Sequence, residues 1–167
     1  MNTFERFGIN LTQNEQIMFL DKLGVSNTEV SLDFLTDFIC KVLGQIPFQN
    51  YKMIERGLGY IPNEVDIKGD MLSFNGGTCA TMNTFIATVL FNVGFDVSLI
   101  SGTMKNSNDH IAILLNLNNK FYTIDLGDGQ PYFNPIPVDE NITEVHPFRT
   151  FRTISDGKNV RVDFLIN

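Results

Sequence analysis

The sequence predicts an α+β fold in which a helical lobe, residues 1–94, precedes an antiparallel β lobe, residues 95–167. Three observations predict it. Apolar residues recur three and four apart through the first half, the period switches to that of strands from Phe95 onward, and the two patterns follow one another instead of alternating. The 167 residues are enough for a core that needs neither disulfides nor a structural metal.

Taken in order, Thr12 caps a helix over Gln13 to Leu23, whose face is drawn from Ile17, Leu20 and Leu23 and which Gly24 stops. A second helix starts near Ser31 on the stripe Leu32, Leu35, Phe38/Ile39, Val42 and Leu43, and ends within Gly44 to Pro47. Cys40, one position off that stripe, reads as a small core hydrophobe. A short helical piece, Phe48 to Arg56, is closed by Gly57 and Gly59. Gly76-Gly77 then breaks the chain before a helix from Thr78 to Val93, with Gly94 as its stop and Cys79 in its first turn. Phe95 to Ser101, His110 to Leu117 and Lys120 to Leu126 read as strands, the last two joined by a two-residue turn at Asn118-Asn119. After a Gly/Pro-rich passage, Arg149 to Ile154 and Val160 to Ile166 form a second hairpin around Asp156-Gly-Lys-Asn159.

Nineteen acidic against 12 basic side chains give a formal charge of -7 and a pI near 4.7, which argues against nucleic acid as a partner. The N-terminus lacks a basic segment followed by an apolar one, and no apolar run is long enough to span a bilayer, so neither export nor membrane insertion is expected and the location reads as cytoplasmic. In a reducing compartment Cys40 and Cys79 are expected to stay unpaired. Metal ligation is not expected either, because Cys40, Cys79, His110 and His146 share none of the usual short spacings. Only 19% of the residues are charged, which suggests that a partner covers some of the surface, and a homodimer is the simplest form.

Cys79, His110 and Asp125 are the residues that carry chemistry. A thiol is a nucleophile only as thiolate; the first turn of a helix stabilises that anion and a neighbouring imidazole takes its proton. Gly76-Gly77 gives the backbone room near the sulfur and supplies N–H donors for an oxyanion. With the turn at Asn118-Asn119, Leu117 faces Lys120, and pairing carried outward sets His110 near Gly127 and Asp125 near Ala112. Histidine and aspartate thus share one end and one face of the hairpin, where a carboxylate orients an imidazole. A slip of one residue would separate them. Each residue also has an ordinary reading: a core cysteine, a satisfied strand histidine, an aspartate that forms a turn before glycine. His146, in Val-His-Pro-Phe, reads as an ordinary loop residue.

Five segments in one order resemble the arylamine N-acetyltransferase family: Ile46-Pro-Phe-Gln-Asn50, Asn75-Gly-Gly-Thr-Cys79-Ala-Thr-Met-Asn83, Val93-Gly-Phe-Asp-Val97, His110 before an apolar strand, and Asp125-Leu-Gly-Asp-Gly129 with Pro135-Ile-Pro137. The resemblance implies a papain-like, cysteine-nucleophile fold with a helical lobe and a β-barrel-like lobe. It also implies a Cys79-His110-Asp125 triad and ping-pong acyl transfer from acetyl-CoA, or another acyl thioester, to a small-molecule amine acceptor. Phe48, Gly76, Gly77, Thr78, Gly127 and Asp128 are the residues expected to contact substrate.

Departures from the family pattern refine this. Asn75 and Thr81 stand where the family carries arginine and glutamate, and losing both members of a charge pair leaves no lone buried charge. Asp128 replaces an aromatic residue and adds negative charge near the substrate opening, disfavouring an anionic donor. The chain stops at Asn167, before the lid-like region that the family places beside its donor cleft, so that region is expected to be absent. A triad hydrolase (amidase, thioesterase or transglutaminase-like peptidase) and a catalytically inactive binding module are the alternatives.

Overall fold

The computed structural model describes residues 3–26, 28–129, 132–145 and 149–165. Among these residues six helices, α1 (Thr3–Phe7), α2 (Gln13–Leu23), α3 (Leu32–Gln45), α4 (Tyr51–Arg56), α5 (Glu64–Leu72) and α6 (Cys79–Val93), precede seven strands. These are β1 (Asp96–Gly102), β2 (His110–Leu117), β3 (Lys120–Ile124), β4 (Ile136–Pro137), β5 (Thr143–Val145), β6 (Thr150–Ser155) and β7 (Val160–Leu165). The helices-then-strands order expected from the sequence is the observed one.

Local chemistry sets the boundaries. Thr12 and Glu15 form a reciprocal capping box at the start of α2, and Gly24 closes it in the left-handed conformation. Ser31 caps α3 by accepting from the Phe34 N–H. Two helices went unforeseen. The first, α1, has only five residues, and α5 shows little apolar periodicity although Asn63 and Asp66 make a full capping box for it.

Three core assignments need correction. Ile17 is 47% exposed, because α2 buries Phe19, Leu20 and Leu23 and leaves position 17 on the flank. Leu32, 39% exposed, lies at the solvated start of α3. Cys40 is exposed: α3 turns Phe34, Leu35, Phe38, Ile39 and Val42 inward, and the Cys40 thiol instead approaches the Phe133 carbonyl at 3.9 Å. Both cysteines are free.

Every residue of α6 from Thr81 to Leu90 is buried. A helix buried all round must lie inside the molecule. It packs on β1 and β2 and against α1 and α5, and Phe85 meets Phe19 edge to face at 4.8 Å. One large core joins the helices to Ile113, Leu115, Ile124 and Leu126 of the strand region. The buried Thr88 hydroxyl donates to the Thr84 carbonyl, so its polar group is satisfied within the helix.

The strands form two antiparallel sheets, ordered β1-β2-β3-β4 and β5-β6-β7. They are not closed into a barrel. The first sheet ends at β4, two residues long and containing Pro137, which has no N–H to extend a ladder. The β2–β3 register is the one read from the turn, from Leu117↔Lys120 to Ile113↔Ile124, and Asn118 and Asn119 hold φ of 54° and 63° as that turn requires. The second hairpin also forms where expected, with Ser155 opposite Val160. A small second core, Tyr132, Ile136 and Phe151, supports that sheet.

Candidate active site

Thr78 is the N-cap residue of α6, so Cys79 occupies the first helical position, at the positive end of the macrodipole. The turn before it is set by two glycines. Gly76 has φ of +72°, and a Cβ there would fall 1.8 Å from the Pro47 carbonyl oxygen; one on Gly77 would strike the Thr81 side chain at 2.7 Å. Their close approaches are therefore to Pro47 and Thr81, not to the sulfur. They draw the Pro47-Phe48-Gln49 segment alongside the helix start, where Phe48 bridges to Gly77 and the Gln49 N–H donates to the Gly77 carbonyl at 3.0 Å.

The glycine that touches the Cys79 backbone is Gly127. A Cβ at that position would lie 2.3 Å from Cys79 Cα, so only a hydrogen allows the segment after β3 to approach α6. That segment delivers Asp125. Its Oδ2 lies 2.6 Å from His110 Nε2, while Oδ1 accepts from Asn83 Nδ2 at 2.9 Å and from the Gly127 N–H at 3.0 Å. With Nε2 engaged, Nδ1 is the ring nitrogen left for Cys79. His110 is 8% exposed and Cys79 half-buried.

Asn83 fastens this arrangement. It is fully buried one helical turn beyond Cys79; its Nδ2 also donates to the Ile111 carbonyl at 2.7 Å and its Oδ1 accepts from the Leu126 N–H at 2.9 Å. One amide thus joins α6, β2 and the end of β3. Sequence reasoning gave it no role, although a polar residue four positions after Cys79 on a buried helix was the available signal.

Electrostatics favour charge separation between thiol and imidazole. Asp125 first and Cys79 second raise the His110 pKa to about 10, against the opposing effect of burial. Burial pushes the Cys79 thiol up, but hydrogen bonding with His110 and with the backbone N–H groups of Ile111 and Ala80 outweighs it and sets the thiol below its ordinary value. Asp128 differs in kind. Burial holds its carboxyl above the usual range, Tyr132 donates to Oδ2 at 2.9 Å, and Oδ1 is buried with no hydrogen-bond partner among the described residues.

Asn75 is exposed and Thr81 buried beneath Gly77, so neither leaves an unpaired charge at the site. Phe48, 46% exposed, and Gly129, where a Cβ would fall 2.9 Å from the Phe48 ring, line a cleft of about 350 Å³ with Leu126 and Phe133. His146 lies outside the described residues. Among the described residues no three His, Cys, Asp or Glu side chains gather as a metal site would require, and no helix is long and apolar enough to cross a membrane.

A helix-borne cysteine beside a strand-borne histidine and an aspartate just past the next strand, on helices followed by antiparallel sheets, is the class of a cysteine-nucleophile α+β fold. The N-acetyltransferase family model matches residues 31–165, and the chain belongs to the arylamine N-acetyltransferase family. It is 23% identical over 148 residues to the probable arylamine N-acetyltransferase 3 of Dictyostelium discoideum, covering 82% of this chain and 48% of that one. An arylamine N-acetyltransferase structure from Bacillus cereus, described as having a Cys-His-Glu catalytic triad, superposes with a TM-score of 0.76 at 25% identity, covering 93% of this chain and 66% of that one. That of Mycobacterium marinum in complex with CoA superposes at 0.73 with 19% identity, over 89% and 60%. The chain spans about half the length of the curated relatives it matches.

Proposed function

We propose that this chain is an acyltransferase that passes an acetyl or similar acyl group from a thioester donor to a small-molecule amine through Cys79. The observation that carries the reading is the contact chain itself: Cys79 at a helix start, His110 hydrogen-bonded to it, and Asp125 2.6 Å from the far ring nitrogen. In this reading residues 1–94 form the lobe that brings the nucleophile, and residues 95–167 the lobe that brings the base and its orienting carboxylate.

The steps are those of ping-pong exchange. The Cys79 thiolate attacks the carbonyl carbon of the donor, the donor's C–S bond breaks, and the departing thiolate takes the proton held by the His110 imidazolium. An amine nitrogen then attacks the acyl-Cys79 carbonyl, His110 accepts the amine's proton, and Cys79 leaves as thiolate. Family membership supports acetyl-CoA as donor and an arylamine or hydrazine as acceptor. The chain with acetyl-CoA or p-nitrophenyl acetate is expected to gain one acetyl group by intact mass, mapped to Cys79 and lost in Cys79→Ala. Acetylation confined to Cys40, or none with either donor, would overturn the reading.

A further inference from the structure

The second sheet ends on β7, a six-residue strand that pairs on one side only among the described residues. The ladder fixes which of its backbone groups are free. The Asp156 N–H donates to the Asn159 carbonyl, so the hydrogen-bonded pairs alternate from there through Ile154↔Arg161 and Arg152↔Asp163. Thr153 agrees, since its N–H turns away from β7 to the Ile142 carbonyl. Arg161 and Asp163 therefore bond β6 through their backbone, whereas Val160, Val162 and Phe164 point their N–H and C=O groups to the open edge. The other sheet edges are guarded. The β5 strand has three residues, β4 has two and contains Pro137, and at β1 the Arg6 guanidinium donates to the Asp96 and Ser98 side chains.

The side chains of β7 divide by face. Val162 packs on the small second core, and the Phe164 ring stacks 6.2 Å from that of Tyr132. Arg161 and Asp163 alternate with them on the opposite face, bridged at 2.8 Å, with Arg161 69% exposed.

We propose that β7 is a dimer interface, at which two copies of this chain pair their β7 strands antiparallel about a twofold axis at Val162. Val162 then faces its own counterpart, Val160 faces the partner subunit's Phe164, and every outward N–H and C=O of these residues gains a partner. Arg161 falls opposite the partner subunit's Asp163 in a non-hydrogen-bonded pair, whose Cα atoms stand about 4.5 Å apart, and symmetry repeats the pair. Charge selects this register. An axis at Arg161 sets arginine against arginine, one at Asp163 sets aspartate against aspartate, and one between residues sets free backbone groups against bonded ones. The join also makes one apolar strip of the two small cores. So short a strand buries less than the roughly 800 Å² per partner of a standard interface, and the expected Kd is on the order of 10 to 100 μM.

Sedimentation velocity of the native chain from about 5 μM to about 1 mM is expected to move from the 18.9 kDa monomer toward twice that mass. Asp163→Arg and Arg161→Asp each set like charges across the interface and should stay monomeric. Mixed in equal amounts they should form a heterodimer, because each changed side chain then meets its opposite, and that rescue also shows that both variants fold. The native chain alone gives a second readout: hydrogen exchange at the Val160, Val162 and Phe164 amides should slow several-fold as concentration rises, while that of β1 amides stays constant. A monomer at about 1 mM, or Val160, Val162 and Phe164 amides indifferent to concentration, overturns the proposal. So does a dimer that persists in both variants, which would move the contact elsewhere, for instance to the exposed apolar side chains Ile54, Leu58, Ile61 and Val65.

Discussion

At the scale of single residues, the site depends on which proton sits where. His110 binds its proton up to pH about 10 because Asp125 lies against Nε2, and that retained positive charge is a main reason the Cys79 thiol ionises below its usual range. The sign follows directly: as pH rises, the thiolate appears earlier than in a free cysteine, and removing the carboxylate delays it. Iodoacetamide alkylation of Cys79 is therefore expected to have a midpoint below about 8.5, moving up in Asp125→Asn and in His110→Ala. A midpoint that stays put in both variants would mean the pair is not coupled. This residue-scale geometry was readable in advance because it needed only a helix start, a two-residue turn and a strand period. Asn83 was not readable, since from α6 it reaches Ile111 on β2 and Asp125 and Leu126 just after β3, and no local pattern announces bonds between segments so far apart in the chain.

Elements fix how firmly these residues are held. Asn83→Ala strips donors from Ile111 and Asp125 and an acceptor from Leu126 and is expected to cost about 2 to 4 kcal/mol in urea unfolding. Because it also frees Asp125, the alkylation midpoint of Cys79 should rise as well, a change that a purely structural asparagine would not produce. Where sequence reading fell short at this scale, the causes are physical. The α5 helix is specified by its caps more than by an apolar stripe. Cys40 and Ile17 show that an apolar residue near a helical stripe is placed by the actual buried arc, which the neighbouring elements decide.

Across the whole molecule, stability is distributed unevenly. The α6 helix sits in a core that gathers residues from most elements, whereas the β5-β6-β7 sheet leans on a cluster led by Tyr132, Ile136 and Phe151. Native-state hydrogen exchange is expected to find the slowest amides in Phe85–Leu90 and β2, and the earliest sub-global opening in β5–β7. Uniform protection across both would contradict this division. The α+β order and the helix boundaries around Cys79 were legible because each follows from a period and a punctuating glycine. The open arrangement of two sheets was not, since barrel closure is decided by pairings between distant strands.

The Asn118-Asn119 turn works as the zero mark of a ruler. Histidine and aspartate are placed by counting peptide units outward from it along two strands, so their meeting is insensitive to most side-chain changes on the way. It is acutely sensitive to length. Adding or removing a single residue between positions 111 and 124 would shift one scale against the other and turn one partner to the opposite face, disabling the site without altering any residue that composes it. Variation in this hairpin is therefore expected to be by substitution and not by insertion.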